Sequence, residues 1–150
     1  MSRDTKPFTV LMADDDEDDR LLARDAFQEC QVDVDLRFVE DGQELLDYLH
    51  GHGPWANAPK PSLILLDLNM PRKDGREALA AIKGSPALRR IPVVVISTSK
   101  AEEDVLRSYD LGVSSFVSKP VTYESLLELV RTLTHYWFHT VRLPDHAAAK

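Results

Sequence analysis

Five short apolar runs, separated by longer amphipathic stretches, constrain the fold of this 150-residue chain more than any other feature. Two of the runs, LILL and VVVI, are apolar at every position, as expected for strands covered on both faces of a sheet. The runs are Phe8–Met12, Val34–Val39, Leu63–Leu66, Val93–Ile96 and Ser115–Val117. The predicted helices between and after them are Asp18–Cys30, Gly42–Leu49, Gly75–Lys83, Ala101–Asp110 and Thr122–Thr140.

This alternation predicts an α/β fold, a (βα)5 doubly wound parallel sheet of the flavodoxin-like type with strand order 2-1-3-4-5. Asp41 and Glu44 have the spacing of a capping box that opens the second helix. Gly84 is expected to end the third helix and Gly112 the fourth. We expect a single domain over residues 1–143, with an extended C-terminal helix, and a disordered tail over 144–150.

Charge and composition disfavour several classes of function. The net charge is -7 and there is no block of Lys and Arg, so we expect no nucleic-acid partner. Cys30 is the only cysteine, which excludes an intrachain disulfide and fits a reducing cytoplasm. No apolar stretch has the length of a signal peptide or a membrane span, so we expect no membrane partner.

Acidic, hydroxyl or lysine side chains follow the first, third, fourth and fifth runs. In an open parallel sheet, ligands bind outside the carboxyl ends of the strands. Strands one and three are neighbours in the predicted order, so Asp15 and Asp67, which are 52 positions apart in the sequence, should meet there. The residues that follow the runs are Asp14, Asp15, Asp67, Ser97, Thr98 and Lys119.

Three neighbouring carboxylates repel one another, and a divalent cation relieves the repulsion. Oxygen ligands that are few and supplemented by water suit Mg²⁺, which usually completes its coordination with a phosphate. Lys119 would give the same phosphate a second positive charge. The pattern therefore favours phosphoryl transfer onto a carboxylate, with the Ser97 hydroxyl donating to a phosphate oxygen.

Four motifs in this order resemble the response-regulator receiver domains of two-component signalling, over about residues 8–133. The motifs are ADDD, LLDLNMPRKDG, VVVISTS and FVSKP. The segments DLNMPRKDGREAL and YWFHTVRLP, with the long loop before strand three, are similar to small single-domain regulators paired with bacterial phytochrome histidine kinases.

The resemblance implies a role for each matching position. Asp67 matches the phosphoacceptor, and Lys119 matches the phosphate contact, whose bond to Pro120 is typically cis in the family. Ser97 matches the switch hydroxyl and Phe116 the switch aromatic. The implied Mg²⁺ ligands, for which Mn²⁺ or Ca²⁺ can substitute, are Asp14, Asp15, Asp67 and the backbone carbonyl of Asn69.

The resemblance also implies a signalling protein that accepts a phosphoryl group from a histidine kinase of the bacterial phytochrome type. It implies only self-phosphorylation and slow self-dephosphorylation as catalysis, and a homodimer through the C-terminal helix and the strand-five face. In that helix we expect an apolar stripe to dock on the sheet, with Leu129, Tyr136 and Phe138 lying off it. The stripe is Leu126, Leu127, Val130, Leu133 and Trp137.

Two other functions remain open from the residues. A haloacid-dehalogenase-like phosphatase also uses an aspartate nucleophile at a strand end, but its second aspartate would fall at Asn69. A receiver-like module could instead bind partners without phosphorylation. Within the acidic run, Asp16 and Asp18 are expected to cap the first helix, whereas Glu17 and Asp19 are interpreted as solvated first-turn residues.

Overall fold

The computed structural model shows a single five-stranded sheet with helices on both faces. Its strands are β1 (Phe8–Ala13), β2 (Val34–Val39), β3 (Leu63–Leu66), β4 (Val93–Ser97) and β5 (Ser115–Ser118). Its helices are α1 (Glu17–Glu29), α2 (Gly42–His50), α3 (Gly75–Lys83) and the C-terminal helix α4 (Tyr123–His135), which continues as a π-helix over Tyr136–Thr140. The structure describes residues 8–68, 70, 74–97, 105, 107, 109–120 and 122–140, without the side chains of the last two.

The predicted fold is confirmed. All strand pairs are parallel and the order is β2-β1-β3-β4-β5. Ala13 lies beside both Val39 and Leu66, so the carboxyl ends of the three strands are level. Residues 105, 107, 109 and 110 are helical, and the rest of the predicted fourth helix lies outside the described residues, as does the predicted tail.

Successive side chains of each strand point to opposite faces of the sheet, so the core has two layers. The central runs are apolar throughout because both faces of their strands are buried. Leu66 and Val95 face the layer that also holds buried residues of α2 and α3. Leu65 and Val94 face the opposite layer, with α1 and α4. Because the chain leaves β1 toward one layer and β3 toward the other, a crevice opens between their ends.

The helix ends agree only partly with the expected caps. Asp41 accepts the N–H of Glu44 at 2.8 Å, but the Glu44 carboxylate accepts the N–H of Glu40, one residue further back than a capping box requires. A complete capping box joins Asp74 and Glu77 at the start of α3, which the sequence did not single out. Gly112 adopts the left-handed conformation, with φ of +101°.

The C-terminal helix docks on the sheet largely as expected. Tyr136 is 49% exposed, as predicted. Leu129 and Phe138 are partly buried, contrary to expectation, and the Phe138 ring stacks on Phe8 with centroids 4.0 Å apart. Phe138 follows Leu127 by eleven residues, which is about three helical turns, so the two side chains lie on nearly the same face of the helix. The stripe residues that contact the core are Leu126, Leu127, Val130, Leu133 and Trp137. Within the described part of the chain, no helix combines the length and apolar character needed to cross a membrane.

Candidate functional site

Backbone hydrogen bonds hold the residues after the strands in a single row. The N–H of Asp14 donates to the carbonyl of Val39 at 3.1 Å, and the N–H of Asp67 donates to the carbonyl of Ala13 at 3.1 Å. The N–H of Lys119 donates to the carbonyl of Ser97 at 3.0 Å. The sheet therefore continues one residue beyond its strands and fixes where these side chains start.

An acidic cluster forms at the ends of β1 and β3. Asp14, Asp15 and Asp67 each offer a carboxylate oxygen, and these three oxygens lie within 4.8 Å of one another. Asp14 is 1% exposed and Asp67 is 7% exposed, whereas Asp15 is open to solvent. Carboxylates at this separation repel one another strongly at low dielectric, so the cluster requires positive charge nearby.

Lys119 supplies part of that charge. Its Nζ lies 3.1 Å from Asp67 Oδ2 and 3.1 Å from Asp14 Oδ2, and the side chain is only 17% exposed. Burial acts to lower the pKa of Lys119, but the hydrogen bond to Asp19 and the charges of Asp14 and Asp67 outweigh it and raise this pKa. The ammonium group is therefore protonated at neutral pH.

One ammonium group does not satisfy Asp14. Burial raises the pKa of the Asp14 carboxyl, and the N–H of Asp16 and the charge of Lys119 oppose this rise. Asp14 Oδ2 is buried and accepts no hydrogen bond from the described residues, so its contact with Lys119 is a charge pair rather than a directed hydrogen bond. A buried, under-coordinated carboxylate oxygen beside two others fits a divalent cation held by Asp14, Asp15 and Asp67.

Two further predicted site residues lie on β4 and β5. Ser97 ends β4, is fully buried and pairs with Ser118 of β5. Phe116 lies beside Val95 and packs partly buried against the core layer of α2 and α3. Its N–H donates to the Tyr109 hydroxyl at 3.1 Å. Asn69 and Thr98 lie outside the described residues.

The expected cis bond before Pro120 is wrong for this structure, since no described peptide bond is cis. An X–Pro bond prefers trans by only about 0.5–1 kcal/mol, so local packing decides which isomer is present. With a trans bond, Lys119 still reaches Asp14 and Asp67.

The sequence interpretation missed the part that Asp19 plays. It was interpreted as a solvated first-turn residue, but its Oδ2 lies 2.7 Å from Lys119 Nζ. Asp16 does cap α1 as predicted, accepting the N–H groups of Asp18 and Asp19. The one available signal was the place of Asp19 in the first turn of a helix that starts directly after the acidic end of β1.

Gly75 is a second residue whose role the sequence did not indicate. Its N–H donates to the carbonyl of Leu68 at 2.9 Å. A Cβ atom added at Gly75 would lie 2.5 Å from Leu68 Cα and closer still to the carbonyl oxygen of Asp67. The start of α3 therefore packs directly on the backbone of the acidic cluster, and only glycine leaves room for it.

Comparison with known proteins agrees with this site. Residues 10–131 match the family model of the response regulator receiver domain. The chain is 41% identical over 138 residues to response regulator Rcp1 of Synechocystis, covering 92% of this chain and 94% of Rcp1. The phytochrome-type resemblance is confirmed as a similarity by a solved structure, because the matching RcpA is a cyanobacterial phytochrome response regulator.

Solved structures give the same result. A crystal structure of RcpA, described as a phosphorylated cyanobacterial phytochrome response regulator, matches with TM-score 0.87 and 42% identity, covering 92% of this chain and 99% of RcpA. The Mn²⁺-bound form of Rcp1 matches with TM-score 0.85 and 40% identity, covering 92% of this chain and 99% of that one. Fold, acidic cluster and similarity agree, and the chain belongs to the response regulator receiver domain family of two-component signalling.

Proposed function

We propose that this protein is a phosphoacceptor response regulator that takes a phosphoryl group onto Asp67 from a histidine kinase. The observation that carries this proposal is the position of Lys119 Nζ, 3.1 Å from both Asp67 Oδ2 and Asp14 Oδ2. A phosphoryl group in transfer is stabilised mainly by positioning and by positive charge. Lys119 places that charge beside the proposed acceptor.

The proposed transfer exchanges one bond for another. A carboxylate oxygen of Asp67 attacks the phosphorus of a phosphohistidine, the O–P bond forms, and the P–N bond breaks with its electron pair going to the imidazole, which takes a proton from solvent. Lys119 neutralises the phosphoryl oxygens. Mg²⁺, held by Asp14, Asp15, Asp67 and the Asn69 carbonyl, would supply further positive charge when bound.

The proposed output is a change in the population of two conformations. Ser97 ends β4 next to Ser118 and would donate its hydroxyl hydrogen to the phosphoryl group, and Phe116 would then move into the space that Ser97 leaves. Because the Phe116 N–H already contacts Tyr109, such a movement would reach the outer edge of the sheet. Phosphate shifts the equilibrium only by its differential contacts with the two states.

The proposed kinase partner is of the phytochrome type, because RcpA, which this chain matches over 99% of its length, is a phytochrome response regulator. Receiver domains are generally signalling proteins rather than enzymes, and we propose no catalysis beyond self-phosphorylation and slow self-dephosphorylation. We propose a cytoplasmic location and a single domain over residues 1–143.

The proposed dimer uses the face formed by β5 and α4. A groove of about 390 Å³ runs between these two elements. It is lined by apolar groups of Val117, Pro120 and Leu129 and by polar groups of Ser125 and Glu128. A second copy of the chain could bury this mixed surface, which resembles the composition of protein interfaces.

Labelling with acetyl phosphate and Mg²⁺ tests the proposal. Intact mass spectrometry should show one added phosphoryl group, and peptide mapping should place it on Asp67. Asp67→Asn should abolish the label, whereas full labelling of that variant at another residue would contradict the assignment. Steady turnover of a phosphomonoester such as p-nitrophenyl phosphate would instead support the phosphatase alternative.

A further inference from the structure

Asp19 holds Lys119 from a third side. The distance from Asp19 Oδ2 to Lys119 Nζ is 2.7 Å, shorter than the 3.1 Å contacts with Asp14 and Asp67. Asp19 belongs to the first turn of α1 and not to the group of three carboxylates that can share a metal ion. Its own N–H donates to the Asp16 side chain at 3.2 Å, which fixes the start of the helix beneath it.

The ammonium group of Lys119 has three hydrogens, and three carboxylates surround it. A phosphoryl group on Asp67 would bring its own oxygens to the same ammonium. When the acyl phosphate forms, the Asp67 carboxylate becomes an uncharged carbonyl group, so the contact with Lys119 passes to the charged phosphoryl oxygens. Asp19 undergoes no such change and remains a full negative charge on the same ammonium.

Two opposite effects of Asp19 are conceivable. It could help the phosphoryl group by keeping Lys119 in place, or hinder it by sharing the ammonium and repelling the incoming anion. Asp14 and Asp67 already hold the ammonium, and only 17% of the Lys119 side chain is exposed, so removing one contact leaves it ordered. The repulsion acts whatever the orientation of Lys119. Competition is therefore the larger effect.

We propose that Asp19 is a positioning residue that competes with the phosphoryl group for Lys119 and so lowers the affinity of the site for that group. The proposal rests on the proposed function of Asp67 as phosphoacceptor. In the unphosphorylated protein Asp19 draws the ammonium toward α1. On phosphorylation the ammonium is shared, so the phosphoryl group is bound less tightly than Lys119 alone would allow.

Beryllofluoride, a phosphoryl analogue, tests this by calorimetric titration at saturating Mg²⁺. The variants are Asp19→Asn and, as a matched control, Asp18→Asn, which removes the same charge from an exposed neighbour in the same helical turn. We expect Asp19→Asn to bind beryllofluoride roughly 3- to 10-fold more tightly than Asp18→Asn does, the range of a partly exposed ion pair. Asp19→Glu, which keeps the charge, should behave as the unmodified protein.

The affinity for Mg²⁺ alone distinguishes the loss of the Asp19–Lys119 contact from the loss of one negative charge near the site. It should fall to a similar extent in Asp18→Asn and Asp19→Asn, since both lose one negative charge near the cluster. Circular dichroism checks the fold of each variant. If Asp19→Asn does not fold, Asp19→Ser gives the same comparison with a residue suited to a helix start.

Equal beryllofluoride affinities in Asp18→Asn and Asp19→Asn would overturn the role of Asp19, and so would weaker binding by Asp19→Asn. Either result would leave the proposed function intact, provided that the unmodified protein binds the analogue. Failure of the unmodified protein to bind beryllofluoride with Mg²⁺ would instead refute the proposed function, and the role of Asp19 with it.

Discussion

Gly75→Ala should disturb both the stability and the chemistry of the site through one methyl group. The added Cβ would lie 2.5 Å from Leu68 Cα, whereas ordinary van der Waals contact begins at about 3.4 Å. Either α3 or the segment after β3 must therefore move by about 1 Å. The two atoms nearest to the added Cβ, Leu68 Cα and the carbonyl oxygen of Asp67, belong to the backbone, so a change of side-chain rotamer cannot relieve the overlap.

The size of the effect follows from this overlap. Forcing extra volume into a packed region costs about 1–3 kcal/mol, and Gly→Ala in a helix returns at most about 1 kcal/mol. The free energy of unfolding should therefore fall by roughly 1–2 kcal/mol, which is about 2–8 °C in Tm for a chain of this size. A displacement of about 1 Å at Asp67 should slow phosphorylation by up to roughly 100-fold.

The assay combines thermal unfolding with the rate of labelling by acetyl phosphate and Mg²⁺, measured well below the Tm of the variant. Gly84→Ala is the matched control, because Gly84 follows the same helix in a right-handed conformation. A Cβ there would lie 3.1 Å from the Ala80 carbonyl oxygen and 3.9 Å from that of Ala81, away from the acidic cluster. This variant should keep a normal labelling rate. If Gly75→Ala retains both the Tm and the labelling rate, the packing argument is wrong.

Three other changes test separate parts of the structure. In EDTA at neutral pH, Asp14→Asn should have a larger free energy of unfolding than the unmodified protein. Burial raises the pKa of Asp14 above its ordinary value of 3.8, so ionisation of this carboxyl group destabilises the folded protein as the pH rises. Urea unfolding should therefore show that the difference in stability vanishes on acidification. An advantage that grows on acidification would contradict this. Lys119→Ala should slow acetyl phosphate labelling at least 10-fold, because the phosphoryl oxygens lose a neutralising charge. The Mg²⁺ affinity, measured by titration, should stay the same or rise, because a competing cation is lost. A large drop in Mg²⁺ affinity would contradict the role of Lys119 as the phosphate contact. Phe138→Ala removes the stack on Phe8 and should cost about 1–2 kcal/mol in urea unfolding without changing the labelling rate; unchanged stability would show that the stack contributes little.

The fold could be predicted because its signals are local. The run Leu63–Leu66 is apolar at every position, which requires cover on both faces, and the structure provides it. Once the strands are in order, the backbone hydrogen bonds of the sheet bring Asp14, Asp67 and Lys119 into one row. Sequence spacing alone was therefore enough to bring these three residues together.

The contacts that sequence could not predict depend on how helices are placed against the sheet. Asp19 reaches Lys119 because of the way α1 packs on the sheet, which is set by its buried residues Ala23, Ala26 and Phe27. The approach of Gly75 to Asp67 depends on where α3 begins. The stack of Phe138 on Phe8 depends on where the end of the last helix meets the start of β1, which the pattern of apolar residues does not reveal.

Diffraction from crystals soaked in Mn²⁺ tests the central claim most directly, because the anomalous signal locates the ion without assumptions. The account predicts a peak between the ends of β1 and β3, about 2.0–2.6 Å from carboxylate oxygens of Asp15 and Asp67 and near Asp14. A well-ordered site with no ion there, or with the Asp67 carboxylate turned out of reach of a shared metal, would contradict it.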